Sequence, residues 1–362
     1  MGKRTTLKDV AHEAGVTAAT VSYVINDTPG QSIRPETRKR VLDAVAKLKY
    51  IPNVHARTLR NQSCPCVGLV LRKNLAVPRF SQMAYGIQTR LEEVGYNALL
   101  LGNQMDKLGV SDYASAYLAG RVAGIIFIGT ENQGPDEHSL KLLTDEHAPL
   151  VVFDCQGDSD SYSTVDLDYR GGAELIAKRV IEESATEGSR LFYVRPQIDT
   201  AQERLREEGV RHACETAGIQ MLVRTMPIDE NNLEVWDARY SLGDTDEGLR
   251  LNELFDAYVL DILDEMRDGD ILVSSWATWT HSFRKLDTQR EGDQLRVAYV
   301  ELANNGESWR AANLYTRLPN YEAGIACAEE ILSLIRGGVP SARLIKLGNI
   351  IEASRGHVPA SD

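Results

Sequence analysis

Two triplets, Asp136-Glu137-His138 and Asp145-Glu146-His147, set carboxylates beside an imidazole, the residue types that ligate a metal or move a proton. They stand at either end of one short helical pattern, so both are expected to be solvated helix ends rather than ligands. Cys64-Pro-Cys66 is the only close pair among five cysteines (64, 66, 155, 214 and 327) and has no further ligand type around it. Odd, scattered thiols fit a reducing compartment better than a disulfide framework. No GxGxxG or other phosphate-cradling glycine loop follows a strand, and neither a GxSxG elbow nor an HExxH pair occurs. What remains is recognition: no catalytic residue, metal or cofactor is expected.

The charge pattern says what kind of surface is recognised. Residues 1–62 carry 11 Lys+Arg against 5 Asp+Glu, a net of +6, while the other 300 carry 29 against 47, a net of −18. A basic head on an acidic body suits a chain that lays one end on a polyanion. Within the head, Thr6 and Asp9 predict a capping box, Gly15 supplies a turn, and Thr17 opens a second helix. Val21, Val24 and Ile25 then face inward, and Ala18, Ala19, Ser22 and Tyr23 outward. A third helix opens at Pro35 and runs through "ETRKRVLDAVAKLKY", with Val41, Val45 and Leu48 at helical spacing. Three short helices with a tight turn between the first two make a helix-turn-helix unit. The stretch "NVHARTLRNQ", residues 53–62, has Asn53 as a good N-cap but only Val54, Ala56 and Leu59 as an apolar face, too little for a helix standing alone.

The segments "LKDVAHEAGVTAATVSYVIN", "ETRKRVLDAVAKLKYIPN" and "ARTLR" resemble, in order and nearly in spacing, the DNA-binding head of the lactose-repressor (LacI/GalR) family of bacterial transcription regulators. That resemblance implies that the second helix lies in the major groove, with Ala18, Ala19 and Tyr23 at base-reading positions. Two alanines cannot hydrogen-bond bases, which leaves apolar contact with thymine methyls and makes Tyr23 the main polar reader. Thr6, Thr17, Ser22, Asn26 and Thr28 match positions used for phosphate contacts or capping. The loop "DTPGQSIRPE" departs from the pattern: it is about two residues longer and puts Arg34 where a capping serine or threonine is usual. The resemblance also makes residues 53–65 a hinge helix and linker that folds on DNA beside a second subunit. Asn53, Ala56 and Arg60 then join the interface, and Leu59 inserts into the minor groove.

From Cys66 onward, short β-branched or leucine-rich runs such as "CVGLVL", "AGIIFIG" and "PLVVFD" alternate with amphipathic helices. Alternation of this kind predicts parallel sheets covered by helices on both faces. The expected fold class is α/β: a helix-turn-helix head over residues 1–52, the hinge, then two doubly wound parallel-sheet lobes of periplasmic-binding-protein type over residues 66–362. Lobe 1 is expected at about 66–161 plus 317–338, and lobe 2 at about 162–316 plus 339–362.

Two such lobes facing each other through the carboxyl ends of their strands form a ligand cleft. The strand-end residues that qualify are Arg79, Phe80, Thr130, Arg195, Trp276, Trp279 and Glu301. Phe80 and the tryptophans suit the apolar face of a sugar, and the arginines suit its oxygens. In the family pattern an arginine clamp falls near Thr200 and a strand-end aspartate at Val300, so both clamps are expected to be missing. A solute receptor would share the lobes but needs export. "MGKRTTLKDV" passes into amphipathic sequence without a signal-peptide core, and no window of about 18 apolar residues occurs, so a cytoplasmic protein with no membrane partner is expected. The resulting expectation is a homodimeric repressor that binds a pseudo-palindromic DNA operator and answers to a sugar or sugar-derived effector.

Overall fold

The computed structural model describes residues 6–25, 33–48, 65–71, 73–129, 134–155, 160–277, 279–290, 294–304, 312–348 and 350–352. The chain forms two compact units, Met1–Cys64 and Pro65–Asp362.

In the first unit, α1 (Leu7–Ala14), α2 (Ala18–Ile25) and α3 (Pro35–Lys47) enclose a small core of Val10, Ala11, Ala14, Val21, Val24, Val41 and Ala44. Thr6 caps α1: its hydroxyl accepts from Asp9 N at 3.3 Å, and Asp9 returns the bond to Thr6 N at 2.7 Å. Gly15 ends α1 with φ 62°, a left-handed conformation that costs glycine nothing and lets the chain turn sharply into α2. Arg34 precedes α3 without a side-chain cap, and Ala44 fills the buried row expected of Val45, which packs at its margin with Leu48.

The second unit holds two six-stranded sheets. Strands β1 (Cys66–Leu71), β2 (Asn97–Leu101), β3 (Ile125–Ile128), β4 (Leu150–Phe153), β5 (Ser163–Leu167) and β11 (Ala342–Ile345) form the first sheet, in the order β11-β5-β4-β3-β1-β2 and parallel throughout. Strands β6 (Arg190–Pro196), β7 (Gln220–Met226), β8 (Ile271–Ser274), β9 (Ala298–Asn304), β10 (Leu314–Arg317) and β12 (Ile350–Glu352) form the second, in the order β12-β10-β9-β8-β6-β7. Only β12 runs antiparallel there.

Sheet membership corrects the expected lobe boundaries. Ser163–Leu167 and Ala342–Ile345 both belong to the first sheet, so the chain crosses after β5, after β10 and again between β11 and β12. "SARLIKLGNIIEAS" is two short strands in different sheets rather than one.

The remaining helices cover these sheets: α4 (Pro78–Glu92), α5 (Asp112–Leu118), α6 (Glu137–Asp145) and α12 (Asn320–Ile335) beside the first; α8 (Ala201–Ala217), α9 (Leu233–Leu242), α10 (Asp246–Glu265) and α11 (Trp279–Gln289) beside the second. Between the sheets in sequence runs α7 (Tyr169–Ser184), whose Tyr169 packs in the first core and whose Ala173 to Ile181 pack in the second. Helices α4 and α12 nearly touch: a Cβ on Gly86 would lie 2.2 Å from the Tyr321 carbonyl oxygen, and one on Gly324 would lie 2.2 Å from that of Met83. Backbone cannot yield as a side chain can, so Gly324→Ala is expected to lower stability by about 1–3 kcal/mol, read as a lower urea midpoint.

Candidate nucleic-acid interface and ligand cleft

Helix α2 divides cleanly into two faces. Val21 and Val24 are buried and Ala18 packs at the core margin, while Ala19 and Tyr23, four residues apart, are exposed with Ser22 between them. Tyr23 is therefore a surface residue. Thr17 stands at the mouth of the helix, where its hydroxyl accepts from Thr20 N at 3.1 Å. Thr6 and Thr17 both act as caps, orienting helix starts whose free N–H groups and positive dipole ends favour an anion. Asn26, Thr28, Asn53, Ala56, Leu59 and Arg60 lie outside the described residues, as does Thr130.

At the carboxyl ends of β1, β4, β5, β6 and β8, where a cleft is expected, a cluster of polar side chains joins the two lobes. Arg79, in the first turn of α4, pairs with Asp154, which follows β4, and donates to the Tyr169 hydroxyl at 2.9 Å. Tyr169 in turn donates to Asp154 Oδ2 at 3.0 Å. Burial works against the Arg79 charge, but Tyr169 and Asp154 outweigh it and hold the guanidinium above its ordinary range. Burial also raises the Tyr169 phenol, which stays a neutral donor. Asp154 takes a left-handed φ of 59°, uncommon for a residue with a side chain.

From the second lobe, α8 brings three polar side chains to this cluster. Gln202 donates across the lobes to the Asp154 carbonyl at 2.7 Å. Arg206 lies over the Tyr169 ring at 4.5 Å and pairs with Glu203, and Glu203 accepts from the Trp276 indole at 2.9 Å. Gln202, Glu203 and Arg206 are all over nine-tenths buried. Within this cluster Arg79 Nε, Arg206 Nε, Asp154 Oδ1, Gln202 Oε1 and Glu203 Oε2 are buried without a hydrogen-bond partner among the described residues. Buried polar atoms are normally satisfied, so this many unmatched donors and acceptors in one cluster between the lobes stand out from the rest of the core.

Several expected cleft residues have other positions. Arg195 donates to Glu207 at 2.8 Å and to the Ile198 carbonyl at 2.7 Å, so it anchors α8 to its own loop rather than reaching toward a ligand. Phe80 is part of the first-lobe core. Trp279 sits in the second-lobe core, 5.6 Å from the Phe255 ring, whereas Trp276 is only partly buried. Glu301 is fully buried on β9, where it accepts from Thr280. Thr200 caps α8, and Arg206, further along the same helix, pairs with Glu203.

Of the cluster residues that sequence reasoning missed, Gln202, Glu203 and Arg206 have a signal, whereas Asp154, just past β4, shares none of it. Gln202, Glu203, Arg206, Gly209, Val210 and Ala213 form one continuous buried stripe on α8, so its polar members sit where a helix should be apolar.

The acidic triplets resolve differently from expectation in one respect. Asp136 is a cap, accepting from Ser139 N and from the Tyr113 hydroxyl, each at 2.8 Å. Against the effect of burial, bonds from Ser111, Ser139 and Tyr113 hold its carboxyl below the ordinary range. Among the described residues, no group of His, Cys, Asp and Glu could hold a metal ion. Cys66, Cys155, Cys214 and Cys327 are not in disulfides, and Cys64 lies outside the described residues.

Residues 6–53 match the model for bacterial regulatory proteins of the lacI family. Residues 65–234 match the model for periplasmic binding proteins and the sugar binding domain of the LacI family. The chain belongs to the LacI family. Catabolite control protein A of Staphylococcus xylosus is 32% identical over 181 residues, which cover 50% of this chain and 53% of that protein. The transcriptional regulator DegA of Bacillus subtilis is 30% identical over 229 residues, covering 63% and 64%. The chain thus spans about half to two thirds of the length of these curated relatives. Its fold matches that of the Lac repressor dimer bound to operator and an anti-inducer, with a TM-score of 0.71, 18% identity and coverage of 97% of this chain and 99% of that one. It also matches the regulator CelR in complex with cellobiose, with a TM-score of 0.57, 21% identity and coverage of 97% and 100%. Among the described residues, no helix is long and apolar enough to cross a membrane.

Proposed function

We propose that this LacI-family chain is a sequence-specific DNA-binding repressor, acting as a homodimer on a pseudo-palindromic operator and controlled by a small effector in the cleft. The observation that carries the reading is the head: a helix-turn-helix core with Ala19, Ser22 and Tyr23 turned outward on its second helix, in the segment that matches the lacI-family model. Its basic charge against an acidic body supports a polyanionic partner. Tyr85, Leu99, Leu100 and Met105 on the first lobe expose large apolar side chains, which supports a second copy as the partner there.

For the effector, the unmatched donors and acceptors of this cluster favour hydroxyl groups, each of which can give and take a hydrogen bond. Arg79 is already matched by Asp154, and Arg206 by Glu203. A neutral carbohydrate fits this balance better than a sugar acid, which would bring an uncompensated charge into buried surroundings. Trp276, partly buried beside Glu203, supplies the aromatic face.

Selection of bound sequences from a random duplex pool by the full chain tests the DNA reading. A two-fold symmetric consensus, with affinity falling steeply as salt rises, is the expected result. Enrichment of no sequence, or of an asymmetric one, would remove the dimeric operator model.

A further inference from the structure

Helix α9 is rooted in the second lobe. Leu233 and Trp236 are buried in its core, and the Trp236 ring lies 5.2 Å from that of Phe255. Yet the same helix holds on to the first lobe. Asp237 pairs with Lys73 at 3.7 Å, both side chains being mostly shielded at 20% and 15% exposure. One turn further along α9, Ser241 Oγ accepts from Asn74 Nδ2 at 2.7 Å. Lys73 and Asn74 lie just past the carboxyl end of β1, in the loop that leads into α4 and Arg79.

That loop is itself ordered by Asn74. Its side chain accepts from Ala76 N at 2.9 Å and its carbonyl from Val77 N at 3.1 Å, one residue before α4 begins at Pro78. A pull on Asn74 is therefore passed directly to the start of the helix that carries Arg79. Asp237 and Ser241 also lie beyond residue 234, where the match to the sugar-binding family model ends.

We propose that α9 is a strap that fastens the second lobe to the first beside the cleft, so that the lobes open only when the Lys73–Asp237 and Asn74–Ser241 contacts break together. Another cross-lobe bond, Gln202 to the Asp154 carbonyl, lies within the cluster and would be remade with any guest. The strap contacts are made by other side chains and set how readily the lobes separate, with or without a guest. As a control on ligand entry the proposal rests on the cleft being the effector site; as a control on lobe opening it stands without it.

The test is hydrogen exchange on the full chain without ligand, followed by mass spectrometry of peptides covering residues 73–77, 150–155, 198–206 and 233–242. In Asp237→Lys, exchange at 150–155 and 198–206, which meet through Gln202 and Asp154, is expected to rise about three- to tenfold, the scale of one shielded ion pair and one hydrogen bond. The swap K73D/D237K is expected to restore the wild-type rate, and Ser241→Ala to give a smaller rise at the same peptides. Faster exchange confined to 233–242 would mean that these contacts only steady α9, and unchanged exchange at all four peptides would mean that the ion pair is idle; either result overturns the strap.

Discussion

Arg206→Ala is expected to destabilise the 65–362 unit by about 3–5 kcal/mol, the cost of leaving one member of a buried ion pair without its partner. Arg206 and Glu203 are exposed by only 4% and 3%, and removal of the guanidinium would leave the Glu203 carboxylate facing the Trp276 indole without its paired cation. The stacked contact with Tyr169 goes as well. A buried pair as a whole is worth far less than the loss of one half suggests, because both ions give up their hydration to form it. The double variant E203Q/R206M should therefore recover most of the loss, since a neutral amide in place of the carboxylate can still accept from Trp276 and a thioether side chain refills the space over Tyr169. Urea unfolding of wild type, single and double variants gives the comparison. A loss below about 1 kcal/mol in Arg206→Ala would place both charges in contact with water and would undo the description of this cluster as buried.

Where a structural decision is made within one or two turns of chain, it was legible beforehand. Thr6, Asp9 and Gly15 fix the start and end of α1 through their own backbone neighbours, and the capping box and left-handed turn are both present. The alternation from Cys66 onward likewise yields two sheets, parallel but for the edge strand β12. What failed depends on distant partners. Ser163–Leu167 is a short, wholly buried run that reads the same in either lobe, and only its pairing with β4 and β11 assigns it to the first.

The cleft shows the same limit. Arg79 and Trp276 were visible as strand-end residues, but Arg79 is neutralised by an aspartate 75 residues away and Trp276 is held by a glutamate 73 residues away. Arg195 looked equivalent to Arg79 in the sequence. Its position on β6 brings it to Glu207 on α8 and to the carbonyl of Ile198 instead. The strap contacts, which join Lys73 to Asp237 and Asn74 to a serine 167 residues away, have no sequence signature at all.

Removal of residues 1–64 is expected to reduce operator affinity at least about 10³-fold, the lower end of the gap between specific and non-specific binding. The argument is electrostatic first. Residues 63–362 carry 29 Lys+Arg against 47 Asp+Glu, so the acidic body is repelled by the duplex that the basic head attracts. It is also geometric, since the outward residues of α2 are the proposed base readers and the body has no helix-turn-helix core of its own among its described elements. Within the full chain, Leu59→Ala separates reading from adhesion. If Leu59 is the minor-groove wedge, its loss should cost about 1–3 kcal/mol on the selected site and almost nothing on random duplex, because phosphate contacts survive. Fluorescence anisotropy at several salt concentrations measures both. A truncated chain that binds the selected site as tightly as the whole would place DNA recognition in the lobes, and an equal loss for Leu59→Ala on both duplexes would reduce that leucine to a folding role.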